Sequence, residues 1–232
     1  MKILAIEAAA KVAGCALLCD GRIVASQTVN GPLTHSETLM PMVSAVLSAS
    51  ETEIEAVDAI ALTAGPGSFT GLRIAAATAK GLALGRHIPL IPIPTLESLS
   101  YNVNGWPYLT VTVMDARRSQ LYCAVWKQGE CLLPADARSP EALAEYLKPL
   151  GEKALFLGDA ADLYRNFFAE ALGENYLLAA PSQKDLSPAS TASLAAERFA
   201  RGEGMIPGSE LRPDYLRKPQ AEREREEREK NR

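Results

Sequence analysis

One segment combines glycines, hydroxyl groups and an arginine at a spacing that could bind an anion. Residues 64–73 read AGPGSFTGLR and lie between an apolar run at 56–63 and a small-residue helical segment at 74–84. A glycine-rich turn from a strand into a helix can hold a phosphate on its backbone N–H groups. The candidate anion ligands in this turn are Gly67, Ser68, Thr70 and Arg73. The alternative is a structural turn whose glycines start a closely packed helix.

Other residue types that carry chemistry are few and scattered. There are four cysteines without CxxC spacing and only two histidines: Cys15, Cys19, Cys123, Cys131, His35 and His87. We therefore expect buried thiols, no disulfide framework and no zinc site. The net charge of -4 gives no electrostatic reason for direct binding to nucleic acid.

Length and hydropathy indicate a soluble protein with a substantial core. The chain has 232 residues, of which 47% are apolar, enough for one large domain or two small ones. No stretch reaches the roughly 18 uninterrupted apolar residues of a membrane span. The first strand meets Glu7 too soon for a signal peptide. We expect a cytoplasmic protein that does not bind membranes.

The strand pattern occurs twice along the chain. An apolar strand ends at Glu7 and the next apolar run turns at Asp20-Gly21, a hairpin signal. A second strand ends at Asp115, and the run after it turns at Gly129 with the same spacing. Each copy reads strand, strand, strand, helix. This repeat predicts two duplicated α/β halves with a cleft between them.

Two helices of the first half have faces that could pack against more than the chain's own core. Thr34 and Glu37 form a capping-box pattern for a helix that Pro41 should kink. Its apolar stripe, roughly 160° wide at 100° per residue, consists of Leu39, Met40, Met42, Val43, Val46 and Leu47. Two alternatives explain this width: the helix is buried between the sheet and loops, or it is buried against another subunit as well. The next helix, 72–84, is rich in alanine, which indicates close approach to neighbouring backbone.

Turn signals divide the chain into three parts. A polar cluster at 102–105 separates an N-terminal half, 1–104, from a C-terminal half, 105–217. Residues 88–94 at the end of the first half predict a strand whose prolines need edge or end positions. In the second half we expect helices at 140–147, 160–172 and 188–201 around a strand at 154–157. Residues 218–232 alternate acids with bases, which predicts a solvated or disordered tail, with docking to a partner as the alternative.

Four motifs distributed along the chain identify a family. They read KILAIE at 2–7, GPGSFTGLR at 65–73, DAR at 115–117 followed by LY at 121–122, and PDYLR at 213–217. Together they resemble the TsaB family, also called YeaZ, a subunit of the bacterial machinery that makes threonylcarbamoyladenosine in tRNA. The resemblance implies the α/β actin-like ATPase fold of sugar kinases and Hsp70. The duplicated halves with mixed sheets in that fold agree with the strand repeat.

The resemblance also implies a fold that lacks its usual catalytic groups. Actin-like ATPases grip phosphates with glycine- and hydroxyl-bearing turns after the first strand of each half, but here those turns read EAAA at 7–10 and DARR at 115–118. The catalytic sister subunit, TsaD, carries an HxxxH metal motif where this chain has Thr95 and Leu99. We therefore expect no nucleotide and no metal on this chain alone.

These substitutions favour structural roles for the remaining conspicuous residues. We interpret Glu7 and Asp115 as buried acids that cap neighbouring turns at strand ends. We interpret the turn at 65–73 as chiefly structural, with anion binding as the weaker alternative. The rival hypothesis is an independent enzyme, either an actin-like ATPase or phosphotransferase or a divergent metallopeptidase.

In the TsaB family, the two helices of the first half pair with TsaD, or with a second copy when TsaD is absent. The resemblance thus implies a non-catalytic activator of TsaD that also meets the small ATPase TsaE. ATP, Mg²⁺ and a metal in TsaD would serve the complex, which modifies position 37 of tRNA. We assign the interface to the apolar stripe and to Leu72, Ala75, Ala76 and Ala79. Val43→Glu or Ala75→Glu should then abolish pairing without unfolding.

Overall fold

Two five-stranded sheets carry the fold in the computed structural model, which describes residues 1–216. The first sheet contains β1 Lys2–Glu7, β2 Ala13–Cys19, β3 Arg22–Val29, β4 Ala59–Gly65 and β5 Leu90–Pro94. The second contains β6 Leu109–Arg117, β7 Gln120–Lys127, β8 Glu130–Arg138, β9 Ala154–Leu157 and β10 Tyr176–Leu178. The helices are α1 His35–Ala49, α2 Phe69–Ala83, α3 Thr95–Ser100, α4 Pro140–Leu147, α5 Asp159–Leu163, α6 Arg165–Leu172, α7 Pro181–Lys184 and α8 Pro188–Ala200.

The two sheets have the same topology, as the sequence repeat predicts. The first has the order β3-β2-β1-β4-β5 and the second the equivalent order β8-β7-β6-β9-β10. In both, the first strand pairs antiparallel with the second and parallel with the fourth. The hairpins also match. The φ values are 46° and 80° at Asp20-Gly21, and 51° and 84° at Gln128-Gly129. Positive φ at both central residues is the hairpin geometry that fits strand twist.

The apolar stripe of α1 packs mainly inside the chain. The Glu37 carboxylate accepts a hydrogen bond of 2.9 Å from the Thr34 N–H, so the capping box starts the helix as predicted. Four of the six stripe residues are at most 3% exposed and belong to the first-sheet core: Leu39, Met42, Val43 and Val46. Met40 is exposed and Leu47 is half-buried. The width of the stripe therefore reflects burial between the sheet and its neighbouring elements.

The α2 residues assigned to a partner interface are also internal. Leu72, Ala75, Ala76 and Ala79 are buried. Together with the four buried residues of α1, they offer a partner very little surface. The interface assignment is therefore corrected: a partner on these helices would meet their opposite sides.

The C-terminal part of the chain returns to the first half. Helix α8 packs on the first sheet, where Ala192, Ala195 and neighbouring residues join the core around Ile3. Further on, Ile206 pairs with Leu90 through two backbone hydrogen bonds of 2.8 and 2.9 Å. The assignment of all of 105–217 to the second half is therefore corrected, because residues from 188 onward pack against the first.

Several local features differ from the sequence expectations or lie outside the described chain. The predicted helix at 160–172 is divided at Tyr164 into α5 and α6, and the short elements β10 and α7 were not predicted. Strand β5 lies at the sheet edge, as its prolines indicate. No helix within residues 1–216 is long and apolar enough to cross a membrane. The predicted tail, 218–232, lies outside the described residues.

The buried and exposed sides of α1 make opposite predictions for glutamate substitutions. Val43→Glu places a charge where the side chain is 1% exposed, and we expect it to lower the free energy of unfolding by about 3 kcal/mol or more. Ala45→Glu lies on the exposed side and should change stability by less than about 0.5 kcal/mol. Urea unfolding followed by circular dichroism measures both. Equal stability of the two variants would contradict this orientation of α1.

Candidate functional site

A cleft of about 660 Å³ lies between the two halves and is the candidate site. Its walls include the turns that follow β1 and β4, the end of β6 and residues 214–216. Three of the predicted anion ligands, Gly67, Ser68 and Thr70, line it. Arg73 lies apart from them, in a groove on the outer side of α2. The structure therefore does not bring the four candidate ligands to one site.

Three glycines lie where β4 leads into α2, namely at the end of β4, in the turn and in the first turn of α2, and each is packed against the backbone of another segment. A Cβ atom would collide with a carbonyl oxygen at all three positions: Asp214 at Gly65, Ala9 at Gly67 and Ala8 at Gly71. Only glycine permits such approach, and at Gly65 the φ of 139° independently disfavours any other residue. These glycines fasten the turn to the end of β1 and to the returning C-terminal segment.

Several backbone N–H groups of this turn donate hydrogen bonds within the chain. The Ser68 N–H donates to the Ala9 carbonyl at 2.7 Å, and the Leu72 N–H donates to the Ser68 carbonyl at 2.9 Å. The Gly71 N–H donates to the Ser68 hydroxyl at 3.2 Å, which caps α2. A phosphate would compete with these bonds. The contacts favour the structural interpretation, while anion binding remains an untested prediction.

Arg73 holds the C-terminal segment. Its guanidinium lies 3.8 Å from the centre of the Phe69 ring, and its Nε donates to the Tyr215 hydroxyl at 3.2 Å. The two rings pack with centroids 5.0 Å apart. Just before Tyr215, the Asp214 N–H donates to the Ala64 carbonyl at 2.6 Å. Tyr215 of the PDYLR motif thus fixes the C-terminal segment against α2.

Glu7 is a buried structural acid, as expected. One carboxylate oxygen accepts from the Ala9 N–H at 2.9 Å and from the Thr63 hydroxyl at 2.8 Å. The other lies 3.4 Å from the Thr191 hydroxyl, which in turn is 2.7 Å from that of Ser98. Burial raises the pKa of Glu7 to about 7, against the lowering effect of these hydrogen bonds. The group joins β1 and β4 to α8.

Asp115 differs from its counterpart in the first half. The sequence predicted a buried acid, but Asp115 is exposed. The predicted capping role is present, because its carboxylate accepts a hydrogen bond of 2.8 Å from the Arg117 N–H. Its own N–H donates to Asp159 at 3.1 Å. Burial, followed by the nearby Asp115 charge, raises the pKa of Asp159. Asp115 lies at the end of β6, where it lines the cleft.

The positions that replace the HxxxH motif lie in the core. Thr95 and Leu99 are both fully buried, and the Thr95 hydroxyl has no hydrogen-bond partner among the described residues. Within residues 1–216, no group of three His, Cys, Asp or Glu side chains is arranged to hold a metal. A threonine hydroxyl beside a leucine is a poor donor set for a transition metal.

The cysteines follow the sequence expectation only in part. Cys15 and Cys123 are buried, and burial raises the pKa of their thiols to about 12 and about 11. Cys19 is half-buried and Cys131 is exposed on β8, which corrects the expectation of four buried thiols. All four are free.

Comparison with known proteins identifies the family. A family model described as TsaD, tRNA N6-adenosine threonylcarbamoyltransferase, matches residues 32–225. The tRNA threonylcarbamoyladenosine biosynthesis protein TsaB of Bacillus subtilis is 31% identical over 227 residues, covering 96% of each chain. The chain belongs to the TsaB family. This confirms the resemblance carried by the four motifs.

Solved structures agree with the TsaB assignment and with the fold. A Pseudomonas aeruginosa protein described as uncharacterized, with similarity to peptidase YEAZ, has a TM-score of 0.78 and 28% identity, covering 93% of this chain and 99% of that one. Component A of (R)-2-hydroxyglutaryl-CoA dehydratase from Acidaminococcus fermentans has a TM-score of 0.53 at 13% identity, over 86% of this chain and 99% of that one. The second likeness concerns the fold alone. The predicted actin-like α/β fold is confirmed.

Two glycines of α2 provide a matched test of the close backbone contacts. Gly71→Ala brings a Cβ onto the Ala8 carbonyl and should lower the free energy of unfolding by about 1 to 3 kcal/mol. At Gly81 no atom lies within 4 Å of the position that a Cβ would take, so Gly81→Ala should raise stability by up to about 1 kcal/mol. Thermal unfolding compares the two. A neutral Gly71→Ala would show that the contact does not constrain the turn.

The raised pKa of Glu7 predicts a specific pH dependence. This pKa is about 7 in the folded chain, against an ordinary value of 4.5, so the folded state binds the extra proton between these values. Stability therefore falls as pH rises through this window, and Glu7→Gln should remove the fall. The difference in unfolding free energy between wild type and variant should change by about 2 to 3 kcal/mol between pH 5 and pH 8. Parallel pH profiles in urea unfolding would contradict the prediction.

Proposed function

We propose that this chain is a non-catalytic subunit of the complex that forms N6-threonylcarbamoyladenosine at position 37 of tRNA. In this proposal it pairs with a TsaD-like catalytic subunit, supports a TsaE-like ATPase and reaches tRNA only through the complex. ATP, Mg²⁺ and a catalytic metal act in the other subunits. Membership of the TsaB family, with its full-length relative named for this biosynthesis, supports the pathway.

One observation carries the non-catalytic part of the proposal. The turn that would cradle a phosphate instead packs its glycines on the carbonyls of Ala8, Ala9 and Asp214. The alanines after β1 add no side-chain donor, and Ser68 and Gly71 use their N–H groups within the chain. This arrangement supports a fold retained for its shape and surfaces.

The exposed sides of α1 and α2 form the proposed pairing face. The two helices lie next to each other, and the face is defined by Met40, Ser44, Ala45 and Ser48 of α1 and Arg73, Ala77 and Gly81 of α2. Small side chains let a partner helix approach closely, and an exposed methionine adapts to the surface it meets. A second copy of the chain could use the same face when the TsaD-like subunit is absent.

Charge placed on the pairing face should prevent assembly without unfolding the chain. Ala45→Glu and Ala77→Glu are at exposed helical positions. Each should weaken binding to the TsaD-like subunit of the same organism at least tenfold, because each puts a bulky charged side chain where the surface of the partner must approach closely. Sedimentation velocity measures the pairing, and a reconstituted tRNA modification assay measures its consequence.

Ala169→Glu provides the matched control, since Ala169 is an exposed alanine on α6 in the other half. It should pair and support modification like wild type. Unchanged pairing of both face variants would contradict the location of the interface. Calorimetry of the isolated chain tests the rival enzymatic hypothesis, and tight saturable binding of ATP with Mg²⁺ would overturn the non-catalytic proposal.

A further inference from the structure

The outer side of α2 carries a groove with an unusual charge composition. It has a volume of about 470 Å³ and is lined by Arg73, Lys80 and Arg212 around a floor that includes Ala76 and Ala77. Among the described residues, no acidic side chain lines it. We refer to it as the basic groove. Because the chain as a whole has a net charge of -4, this local excess of positive charge departs from the average of the molecule.

Two of the three cations are held in place by uncharged groups. Arg73 is stacked on Phe69 and bonded to the Tyr215 hydroxyl. Arg212 donates from Nη1 to the carbonyl oxygens of Ser209 and Leu211 at 2.7 and 2.8 Å. Within residues 1–216, none of the three forms an ion pair. The two guanidinium groups are thus held in position before any ligand binds. No carboxylate within residues 1–216 pairs with them, and this arrangement favours binding of anions.

The surroundings favour carboxylates of a protein over phosphates of a nucleic acid. The floor is alanine on a helix, and Ala77 belongs also to the proposed pairing face, so a partner that covers the face reaches the groove. The Tyr215 ring packs against Phe69. This contact occupies ring surface on which a nucleic-acid base would need to stack. An extended polyanion would meet the net negative charge of the chain, whereas a short acidic segment needs only local complementarity.

We propose that the basic groove binds an acidic segment of the partner subunit, whose carboxylates pair with Arg73, Lys80 and Arg212. Arg73 and Lys80 lie seven residues apart on α2, a separation of roughly 10 Å along the helix axis. A partner helix with carboxylates two turns apart matches this spacing. The inference rests on the proposed pairing and adds the charge that orients the partner along α2.

The test compares two charge-matched double variants in binding to the TsaD-like subunit. Lys80→Gln with Arg212→Gln removes two cations of the groove, and Arg73 stays because its loss would also release Tyr215. Lys153→Gln with Arg22→Gln removes one lysine and one arginine from exposed positions elsewhere. We expect the groove variant to bind at least tenfold more weakly and with a shallower salt dependence, while the control binds like wild type.

Equal affinity of the groove variant and wild type would overturn the inference and leave the proposed pairing intact. If wild type itself fails to pair, the proposed function fails, and a separate probe decides the groove. This probe is a fluorescent twenty-residue polyglutamate peptide, titrated by anisotropy into the isolated chain alongside an unmodified tRNA. Peptide binding that the groove variant loses supports the inference. Binding of tRNA through the groove without binding of the peptide, or binding of neither, overturns it.

Discussion

Backbone contact at the glycines where β4 leads into α2 is the constraint on which much of this structure depends. Gly65, Gly67 and Gly71 bring two separate segments, residues 8–9 and Asp214, against one turn, since each glycine accommodates a carbonyl that a side chain would exclude. The contacts fix where α2 starts and how it is rotated about its axis. That rotation places Arg73 on the outer side, where it meets Tyr215, and turns Leu72 and Ala75 inward. Core, C-terminal segment and exposed helical face are thus set by the same turn.

A second buried connection ties the C-terminal helix to this arrangement. Glu7 bonds the turn after β1 and also contacts Thr191 of α8. Because α8 follows the whole second half in sequence, this contact closes the chain back onto its first strand. The carboxyl is retained at a cost in desolvation, which its raised pKa reflects. The hydrogen bonds of Glu7 offset this desolvation cost only while β1, β4 and α8 stay together. The carboxyl group therefore specifies the relative position of these three elements.

The sequence predicted those parts of the fold that leave a local or repeated pattern. The spacing of Glu7 and Gly21 matched that of Asp115 and Gly129, and the matching sheets followed. Apolar periodicity correctly indicated four α1 residues that leave water, although Met40 of the predicted stripe is exposed. It could not tell whether Val43 is covered by the chain's own sheet or by another subunit, because both environments select the same residue types. Ala45 and Ala77 carry no hydropathic signal, so the exposed faces were missed. The return of 188–216 depends on contacts distant in sequence, and β10 is too short for its period to be detected.

The glycine-rich turn illustrates why a motif and its chemistry can separate. In a phosphate site, glycine permits close approach of a ligand; here the same property permits close approach of Ala8, Ala9 and Asp214. The sequence pattern is therefore compatible with both uses, and only the identity of the approaching group distinguishes them. Because the chain's own backbone occupies that space, the structure favours a packing role for these glycines. The outer side of α2 is not used in these contacts, and there small side chains lie beside Arg73, Lys80 and Arg212, none of which is paired with a carboxylate among the described residues.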